Sequence, residues 1–280
     1  MKNIIRILSA TLIILISFFY TNIAVTISKN KDPLMITIKE YSDKLGNSLI
    51  DSYTNMDEII PGISGVKVNI NKSYENMKTI GEFDKNLLVF KEVSPTYLLN
   101  ENMDKYIIAG NQNKNSVSII FNIKDSSYIE EIIKILNCKN IAATFFLNKE
   151  IYESSQDLIK LILLSGNDIE LLDNEYNKND YNKYNSILKK IDNNEELKYC
   201  ITTKKNENLL NNCKSLQMNT IYTPLLIENY LYSEIKNNLY DGMIINLKNN
   251  KNILRELSST ITYIQQKGKK IILLENLLKE

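Results

Sequence analysis

From Ser116 to the end of the chain, short apolar runs alternate with stretches of helical apolar spacing, and this alternation restricts the fold more than any other feature. "SVSIIFNI" is a continuous apolar run of strand length, suited to burial on both faces. "SYIEEIIKILNCK" follows with the apolar spacing of a helix that buries one face. The strand-like "NIAATFFLN", "NDIELLD", "LKYCITT", "NTIYTPLL", "MIINLK" and "KKIILL" continue the series, and helical segments stand between most of them. Parallel strands joined by right-handed helical crossovers are the expected outcome. About seven strands predict a barrel-like closure, with any site at the C-terminal ends of the strands.

Residues 29–114 read differently. Short apolar runs there are broken by turn signals: "MITIKEYSDKLGNSLIDSY" has helical spacing interrupted by Gly46, and "IIPGISGVKVNI" joins a Pro-Gly turn to an alternating strand. "NKSYENMKTIG" reads as a short helix stopped by Gly81, and "NLLVFKEV" as a strand before Pro95. A small α+β region of unknown role is expected, with a boundary between residues 114 and 115.

The N-terminus carries its own signal. Lys2 and Arg6 precede an uncharged stretch from Ile7 to Ser28, long enough to cross a bilayer as a helix. Residues 1–28 are therefore read as a signal anchor, giving a single-pass membrane protein with an extracytoplasmic body. Cleavage after Ala24 and secretion is the alternative, against which Asn22 is a poor partner for a small-x-small site.

The chain has 280 residues, of which 44% are hydrophobic, enough for one large domain or a large and a small one. Its 34 lysines and arginines nearly cancel its 33 aspartates and glutamates, so no nucleic-acid partner is expected. Abundant Ile, Asn and Lys are assigned to genome composition rather than to mechanism. Cys138, Cys200 and Cys213 are odd in number and lack metal-site spacing. Each adjoins apolar residues, so all three are expected to be small buried hydrophobes rather than a disulfide framework.

Three segments, in order, resemble the polysaccharide deacetylase (NodB-homology) family. They are "KNIAATFFLNKEIYESSQDLIKLILLSGNDIELLDNEYN", "DGMIINLKNN" and the closing "ITYIQQKGKKIILLENLL". The resemblance covers residues 115–280 and implies an α/β fold, an irregular (β/α)7 barrel. It also implies removal of acetyl groups from N-acetylated glycans by a divalent metal held by one Asp and two His, with a second Asp as base and a further His as acid. Such a cation acidifies its water and stabilises the developing oxyanion.

The equipment for that chemistry is missing, because the sequence holds no histidine. By the resemblance, Asn122 stands at the base position and Ile123 at the metal-binding Asp. The paired histidines fall on Leu172 and Tyr176, and the acid histidine on Lys248. A neutral amide has no useful basicity, and an alkyl group donates no lone pair. A phenol with an intrinsic pKa of about 10 is a poor ligand. The family's Arg-Pro-Pro-Tyr segment aligns loosely with Cys200-Ile201-Thr202-Thr203. Lys248 is expected to pair with an acid at the pocket mouth.

No intact catalytic residue, bound metal or cofactor is expected. The expected function is a membrane-anchored envelope protein whose degenerate domain binds cell-wall glycan or a protein partner without turnover. The alternative is an N-deacetylase or other hydrolase using relocated carboxylates, for which Asp125, Asp168, Glu170, Asp173 and Glu175 are the candidates. Solvated acids on a strand and its exit loop are the plainer account of that cluster.

Overall fold

The computed structural model describes residues 2–46, 48–172, 177–193 and 196–280. In chain order, α1 (Lys2–Lys31) and α2 (Pro33–Leu45) precede β1 (Tyr53–Asn55), β2 (Glu58–Ile60) and β3 (Gly65–Val68). Then come α3 (Ile70–Lys78), β4 (Phe90–Val93) and β5 (Tyr106–Ile107). Regular alternation begins with β6 (Ser116–Ile123), α4 (Ile129–Cys138), β7 (Thr144–Leu147), the consecutive helices α5 (Lys149–Ser154) and α6 (Gln156–Leu164), and β8 (Asp168–Leu171). It continues through α7 (Lys178–Ile191), β9 (Tyr199–Thr202), α8 (Glu207–Ser215), β10 (Asn219–Tyr222) and α9 (Leu231–Asn238). The chain closes with β11 (Ile244–Lys248), α10 (Lys251–Gln266), β12 (Lys270–Ile271) and α11 (Leu274–Leu278).

Asparagine does structural work at the helix starts. Asn69, Asn148, Asn177, Asn206 and Asn250 each accept backbone N–H bonds at the first turn of α3, α5, α7, α8 and α10. Such caps satisfy donors that have no partner inside the helix, each contributing about 1 kcal/mol. The asparagine content is thus not only compositional drift.

Backbone contacts group the chain into two compact units. One comprises residues 1–49 and 64–93, where α2, α3 and the antiparallel pair β3–β4 bury Leu34, Met35, Ile38, Val68, Tyr74 and Met77 together. Asp32 caps α2 and also accepts a 2.7 Å bond from the Tyr74 hydroxyl. α1 is long and apolar enough to cross a membrane, with the candidate span Thr11–Lys31 exposed along its length.

The other unit comprises residues 50–63 and 94–280. The expected boundary at residues 114/115 does not describe it. β5 pairs in parallel with both β2 and β10, so strands from the region before residue 115 complete a sheet of the later domain. That sheet has the order β1-β2-β5-β10-β9, and the second has the order β11-β6-β7-β8 with β12 also beside β6. All seven strands expected after residue 115 are present, but in two sheets rather than one continuous ladder.

Alternation along the strands sorts the core. Ile119, Phe121 and Ile123 of β6 face one apolar cluster with α4 residues Ile129, Ile132 and Ile133. Ile120 turns the other way, into an interior shared with Phe146, Ile201, Ile221 and Ile244. α11 adds Leu274, Leu277 and Leu278 to that interior. All eight residues of β6 are buried, as its unbroken apolar run requires.

The cysteines depart from expectation. Cys200 of β9 and Cys213 of α8 are buried but form a disulfide, while Cys138 is exposed and free. β9 and α8 are joined by a short connection, and two cysteines 13 residues apart come within bonding reach. Counting cysteines could not reveal that proximity.

Candidate functional site

A cavity of about 900 Å³ opens at the C-terminal ends of the strands in the larger unit. Asn122 near the end of β6, Leu172 just after β8, Thr202 at the end of β9 and Asn246 in β11 all line it. Its polar floor is a chain of side-chain bonds. The Asn122 amide donates to the Asn246 carbonyl, and the Asn246 amide donates at 2.7 Å to the Thr223 hydroxyl. All three residues are buried. Buried amides persist only when paired, so this chain of bonds satisfies groups that would otherwise destabilise the interior.

The five family positions do not share one environment. Asn122 and Leu172 line the cavity. Ile123 does not: it sits on the opposite face of β6, fully buried in the cluster packed beneath α4. Lys248 is in register with Asn122 on the neighbouring strand, and its ammonium lies 2.8 Å from the Glu228 carboxylate. Its charge is thus committed to a partly exposed ion pair. Tyr176 lies outside the described residues, as do Asp173 and Glu175.

Of the other acids considered for a relocated site, Asp125 accepts a 2.9 Å bond from the Ser127 amide in an exposed turn. Asp168 stands at the opposite end of β8 from the cavity. Glu170 is buried and structural. Its carboxylate accepts the backbone N–H groups of Lys198 at 3.0 Å and Tyr199 at 3.1 Å. Among the described residues β8 and β9 share no strand pairing, so this side chain bridges the two sheets. Burial pushes its carboxyl well above the ordinary glutamate value of 4.5, against the lowering effect of the two N–H donors. Burial and the nearby Glu170 also raise the Tyr199 phenol. Among the described residues, no three His, Cys, Asp or Glu side chains are grouped to hold a metal ion.

Sequence reasoning missed Asn246, Thr223 and the lysines of the cavity wall. Asn246 was recoverable in principle, since it lies two residues before Lys248 and shares its strand face. Of the segment aligned with Arg-Pro-Pro-Tyr, Ile201, Thr202 and Thr203 line the cavity, whereas Cys200 lies on the helix side in its disulfide. Lys124, Lys204 and Lys205 add positive charge to the wall. Lys205 is balanced by Asp57 at 2.9 Å and Glu58 at 2.6 Å, which raise its pKa.

This geometry has known relatives. Residues 109–215 match the family model for polysaccharide deacetylase. BA3943 of Bacillus anthracis, described as a CE4 family pseudoenzyme, superimposes with a TM-score of 0.65 at 21% identity, covering 89% of this chain and 96% of that one. PdaA of Bacillus subtilis, a family 4 carbohydrate esterase, gives 0.54 at 17% identity over 64% of this chain and 86% of that one. The uncharacterized protein YlxY of Bacillus subtilis (strain 168) is 34% identical over 164 residues, 57% of this chain. The chain spans 50% of the length of that curated relative.

The fold is that of the family 4 carbohydrate esterases. Within that fold, residues 109–215 are similar to polysaccharide deacetylases, and the chain contains no histidine.

Proposed function

We propose that this chain is an envelope protein, held to the membrane by α1, whose deacetylase-type domain binds a glycan without hydrolysing it. The cavity carries this reading. It keeps about 900 Å³ at the strand ends, yet its polar groups are amides, hydroxyls and ammonium ions. Amides and hydroxyls suit the hydroxyl and acetamido groups of a sugar. They supply neither the anionic ligand set nor the base that metal-assisted hydrolysis requires. A concave, hydrogen-bonding cleft fits a saccharide better than a flat protein partner, which remains the second form of the proposal.

The pseudoenzyme described for BA3943 has the same fold, and a mutant of it is described as having restored enzymatic activity. A scaffold of this type thus outlasts its chemistry. The extracytoplasmic placement draws support from α1, apolar and exposed. It also draws on the Cys200–Cys213 disulfide, since such bonds persist in oxidising compartments. Secretion after cleavage of the N-terminal segment would place the domain on the same side.

Isothermal titration of the full chain with chitin and peptidoglycan oligomers tests the proposal, together with an assay for released acetate in the presence of zinc, manganese or cobalt. Binding without acetate supports it. Acetate release would establish a hydrolase with relocated carboxylates instead, and absence of binding to every oligomer would leave only a protein partner.

A further inference from the structure

We infer that the cavity selects a glycan carrying negative charge, a carboxylated sugar rather than a neutral N-acetylated one. The inference rests on the glycan-binding reading above and specifies its ligand.

Among the described residues, the charge on the cavity wall is of one sign. Among the described residues its ionisable groups are Lys124, Lys204 and Lys205, with no carboxylate in the lining. Lys205 is neutralised by Asp57 and Glu58. Lys124 and Lys204 have no ion-pair partner among the described residues, and both are exposed at the cavity wall. A cleft lined by one sign of charge and walled by low-dielectric protein concentrates the opposite charge.

Two further features act in the same direction. Asn206, which caps α8, and Leu209 in its first turn line the cavity, so the positive end of a nine-residue helix adjoins it, offset in part by Glu207 of the same turn. Asn122, more than nine-tenths buried, lines the floor, giving a neutral contact where the enzymatic family is expected to hold a carboxylate.

The test compares chitotetraose with the same oligomer whose C6 hydroxymethyl groups have been oxidised to carboxylates. The full chain is titrated with each in a non-ionic polyoxyethylene detergent. Two exposed ammonium–carboxylate contacts predict about tenfold tighter binding of the oxidised oligomer at low salt. That preference should shrink as salt rises from about 50 mM to about 300 mM. The double variant Lys124→Gln/Lys204→Gln should lose the preference for the oxidised oligomer. Equal binding of the two oligomers, or a preference untouched by the double variant, overturns the inference and leaves the glycan reading intact. Binding of neither oligomer removes both.

Discussion

Asn122 and Asn246, 124 residues apart in sequence, share a side-chain hydrogen bond across β6 and β11 at the floor of the cavity. Asn246 is also bonded to Thr223, so it stands in the middle of the chain of bonds and Asn122 at its end. Truncating the middle leaves two buried groups unpaired. Asn246→Ala should therefore lower stability by about 1–3 kcal/mol, and Asn122→Ala by less, because water in the cavity can replace its contact. Urea unfolding of the two variants ranks them, and the reverse ranking would mean that Asn122 is the better shielded of the pair.

Ile123 stands at the metal-ligand position by resemblance but faces the helix-side core. Ile123→Asp should place an unpaired charge there and cost roughly 3–5 kcal/mol. The substitution should not create a cation site, so zinc or manganese should fail to raise the melting temperature. Stabilisation by either ion would show that β6 can turn this side chain into the cavity.

Glu170 makes stability depend on pH in a defined sense. Its folded-state carboxyl is raised by burial, with Asp168 adding to the effect and Lys198 opposing it. The folded chain therefore keeps the proton where the unfolded chain releases it. The contribution is full below the ordinary glutamate value of 4.5 and lost as pH rises through the raised folded value. Glu170→Gln can still accept from Lys198 and Tyr199 but does not titrate. Relative to this variant, the wild-type chain should lose stability as pH rises above the ordinary glutamate value of 4.5. Parallel pH profiles for the two would mean that this carboxyl does not change protonation above that value.

Thiol titration separates the cysteines. The folded chain should present one reactive thiol, Cys138, and three after reduction and unfolding. Opening the Cys200–Cys213 loop, of 13-residue separation, should cost about 3 kcal/mol. It should also loosen the wall formed by the end of β9 and the start of α8. In cells expressing the chain, a membrane-impermeant maleimide should label Cys138 without permeabilisation. Labelling that needs permeabilisation would place the domain on the cytoplasmic side.

The order of strands and helices after Ser116 was legible because periodicity is local: each strand and helix states its own burial pattern. "SVSIIFNI" needs no partner to read as a strand buried on both faces. The absence of imidazole was legible for a related reason. A chain without histidine cannot supply imidazole, whatever its fold.

Tertiary structure decided the rest, because it depends on register and on contacts between distant segments. The sequence could not say that β5 would complete the sheet of the later domain beside β10, or that Glu170 would bridge β8 and β9 rather than face solvent. Nor could it pair Cys200 with Cys213, or turn Ile123 away from the cavity that holds Asn122. Neighbours on a strand point to opposite faces, so a motif that is contiguous in sequence is divided in space, and only packing settles which half meets the ligand.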